Sequence, residues 1–377
     1  MIKSFKVMLH PTEEQLPLFW QSAGAARWAY NWTLERQQES YKNSDGFISH
    51  YQLKKEFAIL KRTPEYSWLN NVSAQIPRQA TTDACNAVVR FFKNQAKYPK
   101  FKSRKLSKPS FYQRYDKLKI VDGQARLEKI GWVDLAEPDR IPVGKYHNPR
   151  ITNDGLNWYL SVGVEVENPI LETAQSEPVG IDLGVKELAV VSTGEVVKNI
   201  NKSKEVKRLN KKLKRLQRQA SRQYEKMKGG GTRYEKSRNL IKLEYKIRQI
   251  HKRLRDIRIN HIHQFTTRTV KTNPEFIVIE DLNVSGMMKN KHLSRAIQEQ
   301  ELHEVKRQFG YKCEWNNVEL ILADRWYPSS KMCNICGSIN KNLKLSDRKY
   351  VCDCGYVVDR DLNASINLRN HGLKLAS

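Results

Sequence analysis

No run of apolar residues in this 377-residue chain approaches the ~18–20 that a membrane-spanning helix needs. The opening stretch, MIKSFKVMLHPTEEQ, has no apolar core of the kind a secretory leader carries. A soluble cytoplasmic protein is therefore expected. Acid is scarce too: 40 Asp and Glu face 67 Lys and Arg, a formal net charge of +27 at pH 7. Such an excess says little about fold but selects a polyanionic partner, nucleic acid ahead of an anionic membrane. Cysteine is sparse and unevenly placed. Cys333, Cys336, Cys352 and Cys354 cluster near the C-terminus, while Cys85 and Cys313 stand alone. That distribution suits a metal site in a reducing compartment better than a disulfide framework. The length favours two or three domains, each with a sizeable core.

What is present divides into segments. IKSFKVMLH alternates apolar and polar residues as a strand does. Thr12 and Gln15 stand at capping-box spacing before a helix with Leu16, Phe19, Trp20 and Ala23 on one face. A second helix is expected over ARWAYNWTLERQQESY and a third over IPRQATTDACNAVVRFFKNQ, with Cys85 beside its apolar stripe and in the core. The segment KYPKFKSRK is basic and aromatic, either a solvated loop or a nucleic-acid contact through Lys100, Lys102 and Arg104. Short strands follow in KLKIV, ARLEKI, WVDLA and WYLSVGVEV; with the first strand they form a small β-barrel into which the helices are inserted. ENPILETAQSE reads as a linker, and GIDLGVKELAVVSTG as two strands joined by a tight turn.

Residues 201–260 hold 22 Lys and Arg against 5 Asp and Glu. Val206, Leu209, Leu213 and Leu216 keep helical spacing, as do Leu240, Leu243, Ile247, Ile250, Leu254 and Ile257, with Gly229, Gly230 and Gly231 between the two runs. Two long helices forming an antiparallel hairpin are expected. The charge is too one-sided for salt-bridge lacing, so Lys211, Lys212, Lys214 and Arg215 are read as facing nucleic acid rather than water alone. Beyond the hairpin, the strands FIVIEDL and VELILAD flank one helix, SRAIQEQELHEVKRQFGYKC, an alternation that suggests an α/β domain.

The clustered cysteines read C-x2-C, a gap of 15, then C-x-C. The spacing is that of a zinc ribbon with two knuckles, and Gly337 and Gly355 follow the second cysteine of each pair, where a tight turn needs a permissive backbone. The alternative is four unligated or redox-active thiols. All-thiolate ligation leaves no open position, so the single zinc is expected to be structural. Three acids fall at the ends of strand-like segments: Asp182 in GIDLG, Glu280 in VIEDL and Asp361 in DRDLNAS. Hard carboxylate oxygens suit Mg²⁺, and two ions about 4 Å apart can serve phosphodiester hydrolysis. GIDLG also resembles the phosphate loop of actin-like ATPases, but the glycine-rich partner motif of that fold is missing.

Taken together, GAARWAYNW, YPKFKSRK, GIDLGVKELAV, IEDLNVSGM, RWYPSSKMCNICG and CGYVVDRDLNASINL resemble the TnpB (OrfB) proteins of bacterial insertion sequences, relatives of the type V CRISPR effectors. The motifs run from residue 24 to residue 368. The resemblance implies a multidomain α+β chain: a wedge β-barrel (1–10 and 107–175), a helical recognition domain (11–106), an RNase H-like RuvC domain (176–330 and 357–377, hairpin about 202–262) and a zinc ribbon (331–356). It implies an RNA-guided, Mg²⁺-dependent DNA endonuclease with Asp182, Glu280 and Asp361 as catalytic ligands of two Mg²⁺ ions, Asp359 competing for the third place. Asp361 is preferred because the family acid precedes x-N-A. Arg325, Lys331 and Arg360 match basic positions of the motifs, and Gln79 is a candidate for reading a short motif beside the target. The implied partners are a guide RNA from the transposon end and a DNA target. Competing readings are a transposase using the same acids, a nuclease-dead RNA-guided repressor, and a plain zinc-ribbon nucleic-acid-binding factor.

Overall fold

The structure is a computed structural model that describes residues 1–167, 176–228, 236–344 and 347–376. The chain forms two compact units, Met1–Glu167 and Asn168–Ser377. The expected linker falls largely outside the described residues, as does the triple glycine of the hairpin.

The first unit contains β1 (Ile2–His10), α1 (Gln15–Lys42), α2 (His50–Leu60), α3 (Gln75–Phe92), β2 (Ser110–Tyr112), β3 (Lys119–Val121), β4 (Gln124–Leu127), β5 (Gly131–Leu135), β6 (Tyr146–Asn153) and β7 (Trp158–Glu165). Its strands make one antiparallel seven-stranded sheet in the order β2-β6-β7-β1-β5-β4-β3. Val7 and Leu9 of β1 join Phe19, Ala25, Ala29, Ala84 and Val88 of the helices in one core. The capping box forms reciprocally: the Thr12 N–H donates to Gln15 Oε1 (3.1 Å) and the Gln15 N–H to Thr12 Oγ1 (3.3 Å). Where two helices were expected over residues 12–41, α1 is continuous for 28 residues. Its one proline, Pro17, falls in the first turn, where a missing N–H costs no helical bond, and its run of alanines lies buried along its length. The sequence reading also missed α2, β2 and β6, which lack clear periodicity.

The second unit contains β8 (Val179–Leu183), β9 (Ala189–Val191), β10 (Val196–Val197), α4 (Lys204–Lys228), α5 (Arg238–Lys271), β11 (Phe276–Glu280), α6 (Val284–Met287), α7 (Ser294–Gln300), α8 (Leu302–Asn316), β12 (Glu319–Ala323), β13 (Lys349–Val351), β14 (Val357–Asp359) and α9 (Arg360–Ala376). The main sheet has the order β10-β9-β8-β11-β12. β11 is parallel to both β8 and β12. Its alternation is two-sided: Ile277 and Ile279 enter a core shared with Phe265, Val305 and Phe309, whereas Phe276 and Val278 pack with Leu368 of α9 on the opposite face.

α4 and α5 pair along the expected seam, Leu213 and Leu216 packing with Leu243 and Ile250. The Arg253–Glu205 ion pair (3.0 Å) and the Tyr224–Glu244 hydrogen bond fix an antiparallel arrangement. The helix expected over 294–313 is broken. Glu301 adopts the left-handed conformation at φ 52° and separates α7 from α8. Beside the break, buried Gln300 donates from Nε2 to the carbonyls of Gly184, Val185 and Glu187, joining Asn199 Nδ2, which also donates to the Val185 carbonyl. No described helix is long and apolar enough to cross a membrane.

Candidate metal centres

Asp182 and Glu280 stand at the carboxyl ends of adjacent parallel strands. Ile181 pairs with Ile279, which puts the two acids side by side on one sheet face. That is the edge where open parallel sheets bind ligands. Asp361 arrives on α9, and two glycines explain how. A Cβ on Gly180 would lie 2.0 Å from the Ser365 carbonyl oxygen and 2.5 Å from the Arg369 nitrogen. A Cβ on Gly372 would meet Phe276 and Val278 at 2.5 Å. The helix therefore rests directly on β8 and β11, in space that any side chain would fill. From Gly180 to Asp182 the strand advances about 6.6 Å. From Ser365 back to Asp361 the helix covers about 6 Å. With Gly180 against Ser365, the third acid comes opposite the first.

The electrostatics agree with this register. The Asp182 carboxyl is pushed well above the usual range, first by burial and then by the charges of Glu280, Asp361 and Asp359, with Arg360 opposing. Burial also raises Glu280, against a hydrogen bond from the Ser329 hydroxyl. Arg360 pairs with Asp361 at 2.9 Å. Neighbouring Asp281 behaves oppositely: Lys306, and then Arg325 at 3.4 Å, hold its carboxyl below the usual range. Asp359 is occupied otherwise. Its Oδ1 accepts from the Asp361 N–H (2.9 Å) and the Leu362 N–H (3.2 Å), capping α9. Asp359 thus serves the cap of α9, while Asp361 pairs with Arg360.

The four cysteine sulfurs lie within 4.8 Å of one another, and among the described residues only they form so tight a group of candidate metal ligands. Asp182, Glu280 and Asp361 do not form such a group among the described residues. Each cysteine pair sits on a knuckle. The Gly337 N–H donates to the Cys333 carbonyl and the Gly355 N–H to the Cys352 carbonyl (both 3.0 Å), with φ of 75° and 86° at the glycines. Ser338 Oγ lies 3.1 Å from the sulfurs of both Cys336 and Cys352. Its hydrogen bond is the chief cause that lowers Cys336 to about 6, towards the thiolate a metal takes. β13 and β14 pair beneath the knuckles. The ribbon's base is tied to α9: buried Asn363 and Asn367 donate to the Met332 carbonyl at 2.7 and 2.6 Å, and Asn367 also to the Ser329 carbonyl at 2.8 Å. Sequence reasoning missed Gly180, Ser329, Asn363, Asn367 and Gly372. The i, i+4 asparagines after Asp361 were the available clue.

The basic candidates fare differently. Lys211, Lys212, Lys214 and Arg215 are exposed on α4, away from its seam, and Lys100, Arg104, Arg325 and Lys331 are exposed on loops. Lys102 is half-buried, its ammonium 3.6 Å from the Tyr30 ring centroid, and burial lowers its pKa. Gln79 donates to Asp83 at 3.0 Å, and Asp83 is clamped by both terminal nitrogens of Arg150.

With acids at two strand ends and on a covering helix, and a ribbon of four cysteines that could hold a metal ion, the second unit is an α/β domain. Comparison with known proteins narrows this. The family described as "Probable transposase" (OrfB, IS605 type) matches residues 161–291, and "Cas12f1-like, TNB domain" matches residues 303–368. A "Helix-turn-helix domain" of the same OrfB group matches residues 1–46, which here form β1 and the single helix α1. A Streptomyces pristinaespiralis protein named "Putative RNA-guided DNA endonuclease" is 34% identical, the match covering 98% of this chain and 89% of that one. The "Putative RNA-guided DNA endonuclease InsQ" of Escherichia coli is 30% identical over 97% of this chain and 91% of its own. A chain in the solved Cas12f1–sgRNA–target DNA complex shares the fold with a TM-score of 0.59 at 13% identity, over 95% of this chain and 83% of that one. The chain belongs to the TnpB (OrfB) family.

Proposed function

We propose that this chain is an RNA-guided DNA endonuclease of a transposable element, with Asp182, Glu280 and Asp361 as its catalytic acids. The observation that carries the reading is the convergence of acids around Asp182. Burial and like charge raise its pKa in a protein of net charge +27, the kind of perturbation that concentrates at functional sites. The donor set is hard oxygen, which fits Mg²⁺ and not a soft metal. When bound there, the metal ions supply a lowered pKa for water and charge stabilisation for the leaving oxygen. The residues do the rest. Ser329 fixes the Glu280 rotamer, the α9 cap fixes the backbone of Asp361, and Arg360 limits repulsion between Asp361 and Asp182. The cysteines hold one structural zinc, so that the ribbon keeps its knuckles and delivers Ser329 and Lys331 to the site.

In the same reading, the first unit supplies the wedge and recognition domains, with Gln79, Lys100, Lys102 and Arg104 towards nucleic acid. The exposed basic face of α4 lies along the guide–target duplex. Arg325, Lys331 and Arg360 meet phosphates near scission. The guide derives from the transposon end, and the complex works in the cytoplasm, on the nucleoid. Relatives named as endonucleases and three intact acids leave a transposase or a repressor without cleavage disfavoured. Asp182→Ala decides the matter. The RNA-loaded variant should bind target DNA with unchanged affinity, which comes from base pairing and basic surface, and should not cut it. Full cleavage by this variant in Mg²⁺ would sink the assignment.

A further inference from the structure

Trp326 is unexplained by anything above. It is 84% exposed, more than any other exposed aromatic residue among the described residues, although tryptophan is ordinarily well buried. Its backbone is not loose. The Trp326 N–H donates to Asp324 Oδ1 (2.8 Å), the Tyr327 N–H to the Asp324 carbonyl (3.0 Å) and the Ser329 N–H to the Tyr327 carbonyl (2.8 Å). Tyr327, next to it, is anchored: its ring stacks on His371 at 4.1 Å and its hydroxyl donates to the Asn367 carbonyl. Both ends of this loop meet the acid site. Ala323, where it begins, is the register partner of Glu280, and Ser329, where it ends, donates to the Glu280 carboxylate. Trp326 is three residues from each, so its Cα lies within about 11 Å of both. Arg325 and Lys331 flank it with exposed positive charge.

A rigid loop that holds an indole in water beside a carboxylate cluster, between two cations, has the parts of a single-strand platform: an aromatic face for a base and cations for the adjoining phosphates. We infer that Trp326 stacks on an unpaired base of the DNA strand being cut and so sets which phosphate lies at the acids. The inference rests on the nuclease reading and adds a positioning residue to it. A buried aromatic would serve the fold; this one contributes nothing to the core, so its removal leaves stability unchanged.

The test uses the RNA-loaded complex with Trp326→Ala and Trp326→Phe, and a target whose cut strand carries 2-aminopurine beside the scission point. Stacking is worth about 1–3 kcal/mol per base, so Trp326→Ala should lower the single-turnover cleavage rate, with complex in excess over target, by about 5–150-fold and scatter the cut positions. Trp326→Phe should restore most of both. Target affinity and zinc content should not change. In an Asp182→Ala background, which removes cutting, the protein should quench the 2-aminopurine, and the added Trp326→Ala change should abolish that quench. Equal quenching with and without the indole, wild-type cutting by Trp326→Ala, or equal impairment of the Ala and Phe variants overturns the inference. The quench needs no cleavage. A wild-type complex that does not cut therefore refutes the nuclease reading, while the fluorescence comparison still decides the stacking.

Discussion

Replacing Gly180 with alanine adds one methyl group where the fold has no room for it. The new Cβ would stand 2.0 Å from the Ser365 carbonyl oxygen and 2.5 Å from the Arg369 nitrogen, and real Cβ contacts do not fall below 3.0 Å. Both obstacles are backbone of α9, so no side chain can swing aside. The helix must retreat from β8 by about 1 Å, the overlap itself. Overpacking of a tight core costs about 1–3 kcal/mol, and here the retreat also loosens Leu368 from Phe276 and Val278. The larger effect falls on activity. Asp361 rides on the first turn of the same helix, and a misplacement of about 1 Å at a reacting centre costs roughly 100-fold. Gly180→Ala should therefore fold with a lowered Tm, bind guide and target normally, and cut about 100-fold more slowly. Gly372→Ala should be milder, because its obstacles at 2.5 Å are the Phe276 and Val278 side chains. Gly310→Ala is the control: inside α8, with nothing within 4 Å of its Cβ, it should gain about 0.5–1 kcal/mol from helix propensity. Cleavage rates and thermal melts of the three variants suffice. A Gly180→Ala protein with wild-type rate and Tm would refute the reasoning about how α9 is seated.

Metal analysis of the freshly purified chain should find one zinc, lost in Cys333→Ser and Cys352→Ser, with the main melting transition little changed because the ribbon is a small insertion. Neutralising Lys211, Lys212, Lys214 and Arg215 to glutamine should weaken RNA and heteroduplex binding without sequence preference and flatten the log K against log salt slope by up to about 3–4; an unchanged slope would remove α4 from the interface. Lys312 is buried and its ammonium donates to the His263 carbonyl, Thr266 and Thr267, yet burial lowers its pKa to about 8. Below that pH both folded and unfolded chains hold the proton and the burial cost is constant. Between about 8 and 10.5 the unfolded chain binds more protons, so stability rises with pH. Denaturation of wild type and Lys312→Met should show that rise, on the order of 1–3 kcal/mol, only in the wild type; parallel curves would contradict it.

What the sequence determined by itself was whatever depends on local spacing. Alternation in IKSFKVMLH specified β1, the 3-4 spacing from Val206 and from Leu240 specified the hairpin seam, and the cysteine intervals specified two knuckles with glycine at positive φ. The sequence also singles out Asp182, Glu280 and Asp361 as candidates, since acids beside apolar segments stand out in a chain short of acid. Tertiary structure alone decided how these acids relate. Asp359 and Asp361 are two residues apart, and the sequence prefers Asp361 only by its place before x-N-A; the fold makes Asp359 a helix cap and lets the Asp361 charge act more strongly on Asp182. Glu301 takes a left-handed turn next to Gln300, whose side chain reaches a loop distant in the chain, and no local pattern marks either. Gly180 reads as an ordinary strand glycine until α9, nearly two hundred residues later, lies against it. Periodicity reports which face of an element is apolar; how closely two faces approach is a property of both surfaces together, and that closeness seats α9, with Asp361 in its first turn, on the strands that carry Asp182 and Glu280.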